Sequence, residues 1–182
     1  IGAVAEYDGS GITNDKWYDK SGNGLDGTVS GATDENTAGA PWISANHPAF
    51  QAKPSSQQAN FALNSSVTVV FGTEVFDQDD NFATNNFVAP VTGKYQFNAS
   101  IVLQNIDEAA AYYQLELTTS NRTIKRLFDP DFGQDGVWWT MSISVLTDMD
   151  VNDDAYVAIR QSAGTQQTDI NDESYFSGHL VC

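Results

Sequence analysis

Residues Asn86–Leu103, NFVAPVTGKYQFNASIVL, decide how the rest of the chain reads. The run opens apolar and bends through Pro90 and Gly93. From there Tyr95, Phe97, Ala99, Ile101 and Leu103 fall on one face, and Gln96, Asn98 and Ser100 on the other. A period of two marks a half-buried β-strand laid over a core. Its counterpart is the closing stretch Ser174–Cys182, SYFSGHLVC, a short aromatic strand.

Working upstream, Pro48–Lys53 sets Phe50 and Ala52 on one face. Val67–Phe76, VTVVFGTEVF, is predicted as one strand, with a bulge or close backbone approach at Gly72. Asp77–Asn81 is a polar turn. Downstream, Ala109–Thr119 aligns Tyr113, Leu115 and Leu117, Ser120-Asn121-Arg122 turns, and Thr123–Phe128 returns. Asp129–Gly136, DPDFGQDG, is a loop. In Val137–Leu146, Trp139, Met141, Ile143 and Val145 oppose Trp138, Thr140, Ser142 and Ser144. The acidic turn Asp148–Asp154 leads into Ala155–Arg160, with Val157 and Ile159 inward, and Gly164–Glu173 is polar. Many short strands, Gly/Asn/Asp turns and no helical period imply an all-β fold, an antiparallel sandwich or jelly roll.

Residues 1–46 have another texture, rich in Gly, Asp, Asn and Ser. This punctuation permits short strands and turns but no useful helix. Asp15–Lys20 reads as a strand, Ser21–Gly24 as a tight turn and Leu25–Ser30 as a second strand. Trp17, Tyr18 and Trp42 argue against a bare linker, because large aromatics gain most by docking. The expected division is an N-terminal segment over 1–46 and a β-sandwich over 47–182.

Bulk properties exclude several functions. With 24 acidic against 8 basic residues, the net charge is −16. Such a surface repels nucleic acid, whose phosphates need Lys and Arg. No apolar run is long enough to insert in a membrane as a helix. Cys182 is the single cysteine, so no intrachain disulfide forms, and His47 and His179 are the only histidines. There is no initiator Met or signal-peptide pattern, and the chain reads as the end of something longer. Asn64, Asn98 and Asn121 open N-glycosylation patterns that chance explains in so Asn- and Ser-rich a chain. Asp148, Asp150 and Asn152 begin like a calcium loop, but Asp153 and Ile159 stand where glycine and glutamate are needed. No GxSxG elbow is present, and a lone strand histidine such as His179 is more often a packing residue than a base. The expectation is a protein that is not an enzyme.

The order of landmarks resembles a known family. Phe50-Gln-Ala, Val69-Val70-Phe71, Asn81-Phe82, the run Phe87–Phe97 (FVAPVTGKYQF), Asn152–Val157 (NDDAYV) and Tyr175–Leu180 (YFSGHL) stand in the family's sequence. Together they resemble the C1q-like globular domain of the tumour-necrosis-factor-like jelly-roll superfamily, over about 47–182. The chain departs from the family pattern at Ser120-Asn121-Arg122, where Lys-Asn-Gly is usual, and carries no collagen-like Gly-x-y repeat.

The resemblance implies a C1q/TNF-like jelly roll and a homotrimer, with one sheet of each protomer around a three-fold axis. Aromatics on both faces of several strands fit that expectation, since a monomeric sandwich needs one apolar face per strand. Trp138, Tyr112, Tyr175 and His179 are the candidate interface residues. The loop Asp129–Asp135 looks like the acidic loop that binds Ca²⁺ near the axis of some C1q-like trimers, making Asp129, Asp131 and Asp135 the candidate ligands. Separately, Asp19–Gly31 is similar to segments in bacteriophage tail-fibre proteins. The combined expectation is a trimeric receptor-binding head of a phage tail fibre or spike, on the virion, recognising a host cell-surface glycan or protein. The alternatives are a structural trimerisation cap, a secreted C1q-like protein and, last, a polysaccharide-cleaving enzyme.

Overall fold

Each residue of the Tyr95–Leu103 alternation that should face a core is buried: Tyr95, Phe97, Ala99, Ile101 and Leu103. The computed structural model describes residues 12–13, 16–17, 19, 21–28 and 47–181. The chain divides into two compact units, Ile1–Ser44 and Ala45–Cys182. In the first, β1 (Ile12–Thr13), β2 (Lys16–Trp17) and β3 (Gly27–Thr28) form an antiparallel sheet in that order. Its β2–β3 loop is gathered by Asp19, whose carboxylate accepts from Ser21 N (2.8 Å), Ser21 Oγ (2.8 Å) and Leu25 N (3.0 Å). Tyr18, Trp42 and Cys182, singled out in the sequence, lie outside the described residues.

The second unit is a sandwich of two antiparallel sheets, a jelly-roll architecture with no helix among the described residues. Its strands are β4 (Ala49–Lys53), β5 (Val67–Thr68), β6 (Thr73–Gln78), β7 (Phe82–Ala83), β8 (Asn86–Val88), β9 (Gly93–Ile106), β10 (Tyr112–Thr119), β11 (Thr123–Phe128), β12 (Gly136–Met149), β13 (Asp154–Ser162), β14 (Asp169–Ile170) and β15 (Tyr175–Leu180). One sheet runs β12-β9-β15-β4-β6, with β14 also on β9. The other runs β11-β10-β13-β8-β7, with β5 also on β13.

Between the sheets lies an aromatic core. Phe50 stacks on Phe82 (4.7 Å between ring centroids) and on Phe87 (5.0 Å), and meets Phe176 edge-on at 4.9 Å. Gly178 makes room for it: a Cβ there would stand 2.6 Å from Phe97 Cε1 and 2.8 Å from Phe50 Cε1. Opposite, Tyr113, Leu115, Leu117, Val157 and Ile159 fill the core from β10 and β13.

Val67–Phe76 is not one strand. Its first residues pair with β13, while β6 pairs with β4 in the other sheet. Buried Val69 and Phe71 anchor the crossing between layers, and Asn85 Oδ1 accepts Phe71 N at 2.6 Å. Gly72 is a close approach as expected, since a Cβ there would meet Ser55 Oγ at 2.6 Å. The polar run Gly164–Glu173 contains the unexpected β14, whose Ile170 is fully buried.

Candidate functional site

The outward face of the β12-β9-β15-β4-β6 sheet is the distinctive surface of this unit. Cross-strand register sets its rows. Gln78, Ala49, His179, Gln96 and Leu146 form one row, and Phe76, Gln51, Ser177, Asn98 and Ser144 the next. Tyr175, Ser100 and Ser142 follow, then Val102 with Thr140 and Gln104 with Trp138. None of these residues is Asp, Glu, Lys or Arg, on a chain of net charge −16. Charge returns at the margins, in Lys53, in the Lys94–Asp148 pair and in Asp169 of β14, which pairs with Gln104.

Neutral side chains on this face bind one another. Gln96 Nε2 donates to Ser144 Oγ (3.0 Å), Ser144 Oγ to Asn98 Oδ1 (2.8 Å), and Ser142 Oγ to Ser100 Oγ (3.3 Å). Phe76, Leu146, Trp138 and Tyr175 stand exposed around this network, with Trp138 at 54% and Leu146 at 55%. His179 lines a shallow cavity of about 290 Å³ with Gln51, Phe76 and Ser177. Its imidazole hydrogen-bonds to no hydroxyl or carboxylate among the described residues.

Of the interface residues expected from the sequence, Trp138, Tyr175 and His179 therefore share one face. Tyr112 does not: it lies on β10, in the other sheet, opposite Ser162. The four cannot line a single sheet face, because aromatic doubling along a strand does not say which sheet the strand joins. Sequence reasoning missed Phe76 and Leu146. Leu146 followed from the β12 alternation, whereas Phe76 was hidden by the irregular register between β4 and β6 at Gln51/Ala52.

An aromatic group closes the edge where β11 and β12 meet. Phe128 and Trp139 stack at 4.3 Å and 9°, and Phe132 touches both rings. Leu127, Val137 and Trp138 are exposed in the same two strands. Trp139 is at the inward position of its alternation yet 39% exposed, because it stands at the rim of the sandwich, where Phe128 and Phe132 cover its ring only in part.

The acidic loop between these strands does not gather its carboxylates. Asp135 Oδ1 accepts Glu108 N at 3.0 Å and Oδ2 accepts Gln167 Nε2 at 2.9 Å. The Gln167 bond first, then the Glu108 bond, holds its carboxyl below the ordinary range. Asp129 and Asp131 are exposed. Among the described residues no three His, Cys, Asp or Glu side chains come together as a metal site. Asp129, Asp131 and Asp135 therefore do not form a three-carboxylate cluster within the chain.

Comparison with known proteins agrees with this architecture. Residues 49–181 match the family described as the C1q domain. The globular domain of zebrafish complement 1qA superposes with a TM-score of 0.52 at 19% identity, covering 75% of this chain and 98% of that one. Murine APRIL superposes with TM-scores of 0.54 in a pH 8.5 crystal and 0.55 in a pH 8.0 crystal. Identity is 8% and 9% in the two cases, and each covers 74% of this chain and 99% of that one. No curated protein matches the chain.

Proposed function

The chain belongs to the C1q domain family, and from that premise we propose that it forms a homotrimeric, non-catalytic recognition head. The neutral outward face of the β12-β9-β15-β4-β6 sheet carries this reading. Interface centres are depleted of charge relative to the surrounding surface and enriched in aromatic residues. Here a face without a formal charge in its central rows, ringed by Phe76, Trp138 and Tyr175, sits on a strongly acidic protein. The apolar edge at Leu127, Phe132 and Val137 is a second, different surface. Two unlike surfaces that bind head to tail close into a ring, which is the geometry of a three-fold assembly.

Trimerisation leaves the second sheet and the connecting loops outward, where they recognise a glycan or protein on a cell surface. The likeness of Asp19–Gly31 to tail-fibre segments supports a place for this head at the tip of a phage fibre. The family match is served equally by a secreted C1q-like protein. Light scattering tests the assembly: the expected mass is about 59 kDa, three times the 19.7 kDa chain. A 19.7 kDa particle at micromolar concentration would overturn it. Binding of the fluorescently labelled head to cells tests recognition. A trimer that binds no surface leaves only the structural-cap reading.

A further inference from the structure

We propose that the outward side of the second sheet carries a subsite for one neutral hexopyranose ring, in a notch between β5 and β8. The proposal names a ligand class for the recognition head described above and rests on that reading.

The notch follows from an interruption in the sheet. β8 pairs with β13 at Asp154–Tyr156, and β5 pairs with the same edge at Ala158–Ile159. The two short strands thus lie end to end along one edge. After Val69 N donates to Val157 O (3.0 Å), the chain leaves for the other layer. A cavity of about 250 Å³ remains at the seam, lined by Thr68, Thr84, Asn85, Asn86, Asp154 and Tyr156.

Its chemistry is that of a sugar site. The hydroxyls of Thr68, Thr84 and Tyr156 and the Asn85 amide nitrogen bind nothing among the described residues. Asp154 uses one oxygen to accept Asn86 Nδ2 at 2.7 Å, leaving the other open to a donor. Neighbouring sugar hydroxyls need this mixture of donors and acceptors, while the half-exposed Tyr156 ring offers an apolar surface for the C–H face of a pyranose. The volume lies just below the roughly 300 Å³ at which drug-sized ligand pockets begin, which suits one ring rather than a chain. Thr84 is held at φ +53°, a strained conformation for a β-branched residue. The cavity wall has no Lys or Arg, and a carboxylate stands in it, so an acidic sugar is excluded.

Saturation-transfer NMR with the methyl glycosides of glucose, galactose and mannose tests the assignment, with N-acetylneuraminic acid as the acidic comparison. At least one neutral glycoside is expected to bind with a millimolar dissociation constant, and the acidic sugar not to bind. Tyr156→Ala is expected to weaken binding at least tenfold, and Tyr156→Phe only two- to threefold. Thr68→Ala, at an exposed position that bears no packing, is expected to weaken it severalfold and covers the case in which Tyr156→Ala does not fold. Transfer from none of the three neutral glycosides, equal transfer in the folded variants, or tighter binding of the acidic sugar overturns the subsite. Cell binding by a trimer that ignores the glycosides would sink the subsite alone. Glycoside binding by a 19.7 kDa monomer would sink the trimer and spare the subsite.

Discussion

Gly178 shows how one side chain's absence sets the core. It lies on β15 between Phe97 on β9 and Phe50 on β4. An added methyl would overlap both rings, which are fully buried and cannot retreat. Gly178→Ala is therefore expected to destabilise the sandwich by about 2–3 kcal/mol, at the upper end for an overpacked core. A lowered urea midpoint with an unchanged slope measures it. Tyrosines give a second test at this scale. Burial pushes the Tyr95 and Tyr113 hydroxyls above their ordinary value of 10.0, against smaller lowering by bonds to Val91 O in one case and to Thr168 and Asp107 in the other. The unfolded chain releases these protons first, so their contribution is whole below about pH 10 and declines as pH rises through the raised folded values. Melting temperature should fall progressively above about pH 10, and less steeply in Tyr95→Phe. Equal slopes in the two proteins would remove Tyr95 from the explanation.

At the scale of elements, period-two alternation made β4, β9, β10, β12, β13 and β15 legible, because each lays one face on the core. What alternation could not supply was the partner of each strand. Val67–Phe76 reads as one apolar run, yet β5 and β6 belong to different sheets, and only the pairings with β13 and β4 separate them. β14 was equally hidden. Asp169 looks like a loop residue, but it is buried and accepts Gln57 Nε2 (2.6 Å), Asn60 N (2.8 Å) and Asn105 Nδ2 (2.9 Å) from distant segments. Tyr112 and Trp138 lie in different sheets, and the sequence shows their residue type but not their sheet membership. The neutral face itself is a product of strand order, since its charge-free rows collect residues from β6, β4, β15, β9 and β12. Its role is tested by Ser144→Lys, which puts a cation in the second row, beside Asn98 and Ser177, without touching the core. The expected result is a shift of mass toward 19.7 kDa with the aromatic near-ultraviolet spectrum retained. Thr118→Lys, outward on the second sheet, should leave the trimer whole.

At the scale of the whole molecule, the proposed trimer would bring three chains of −16, or −48, into one particle. A neutral interface avoids placing those charges in contact, but it does not remove repulsion between the acidic surfaces around it. Exposed charges are screened over about 10 Å at 0.1 M salt and about 3 Å at 1 M. The trimer should therefore dissociate more readily as salt is lowered, while the fold of each protomer, held by its aromatic core, changes little. Sedimentation across a sodium chloride series measures the first, and near-ultraviolet spectra the second. A divalent ion adds a separate term only where oxygens from neighbouring protomers converge. Because Asp135 is already held by Gln167 and Glu108, we propose that any Ca²⁺ effect comes from Asp129 and Asp131 shared between protomers. At fixed ionic strength, Ca²⁺ should then raise the melting temperature of the trimer above its value in chelator, and Asp131→Asn should abolish the difference. Identical curves with Ca²⁺ and with chelator would discard the ion and leave screening as the whole of the charge effect.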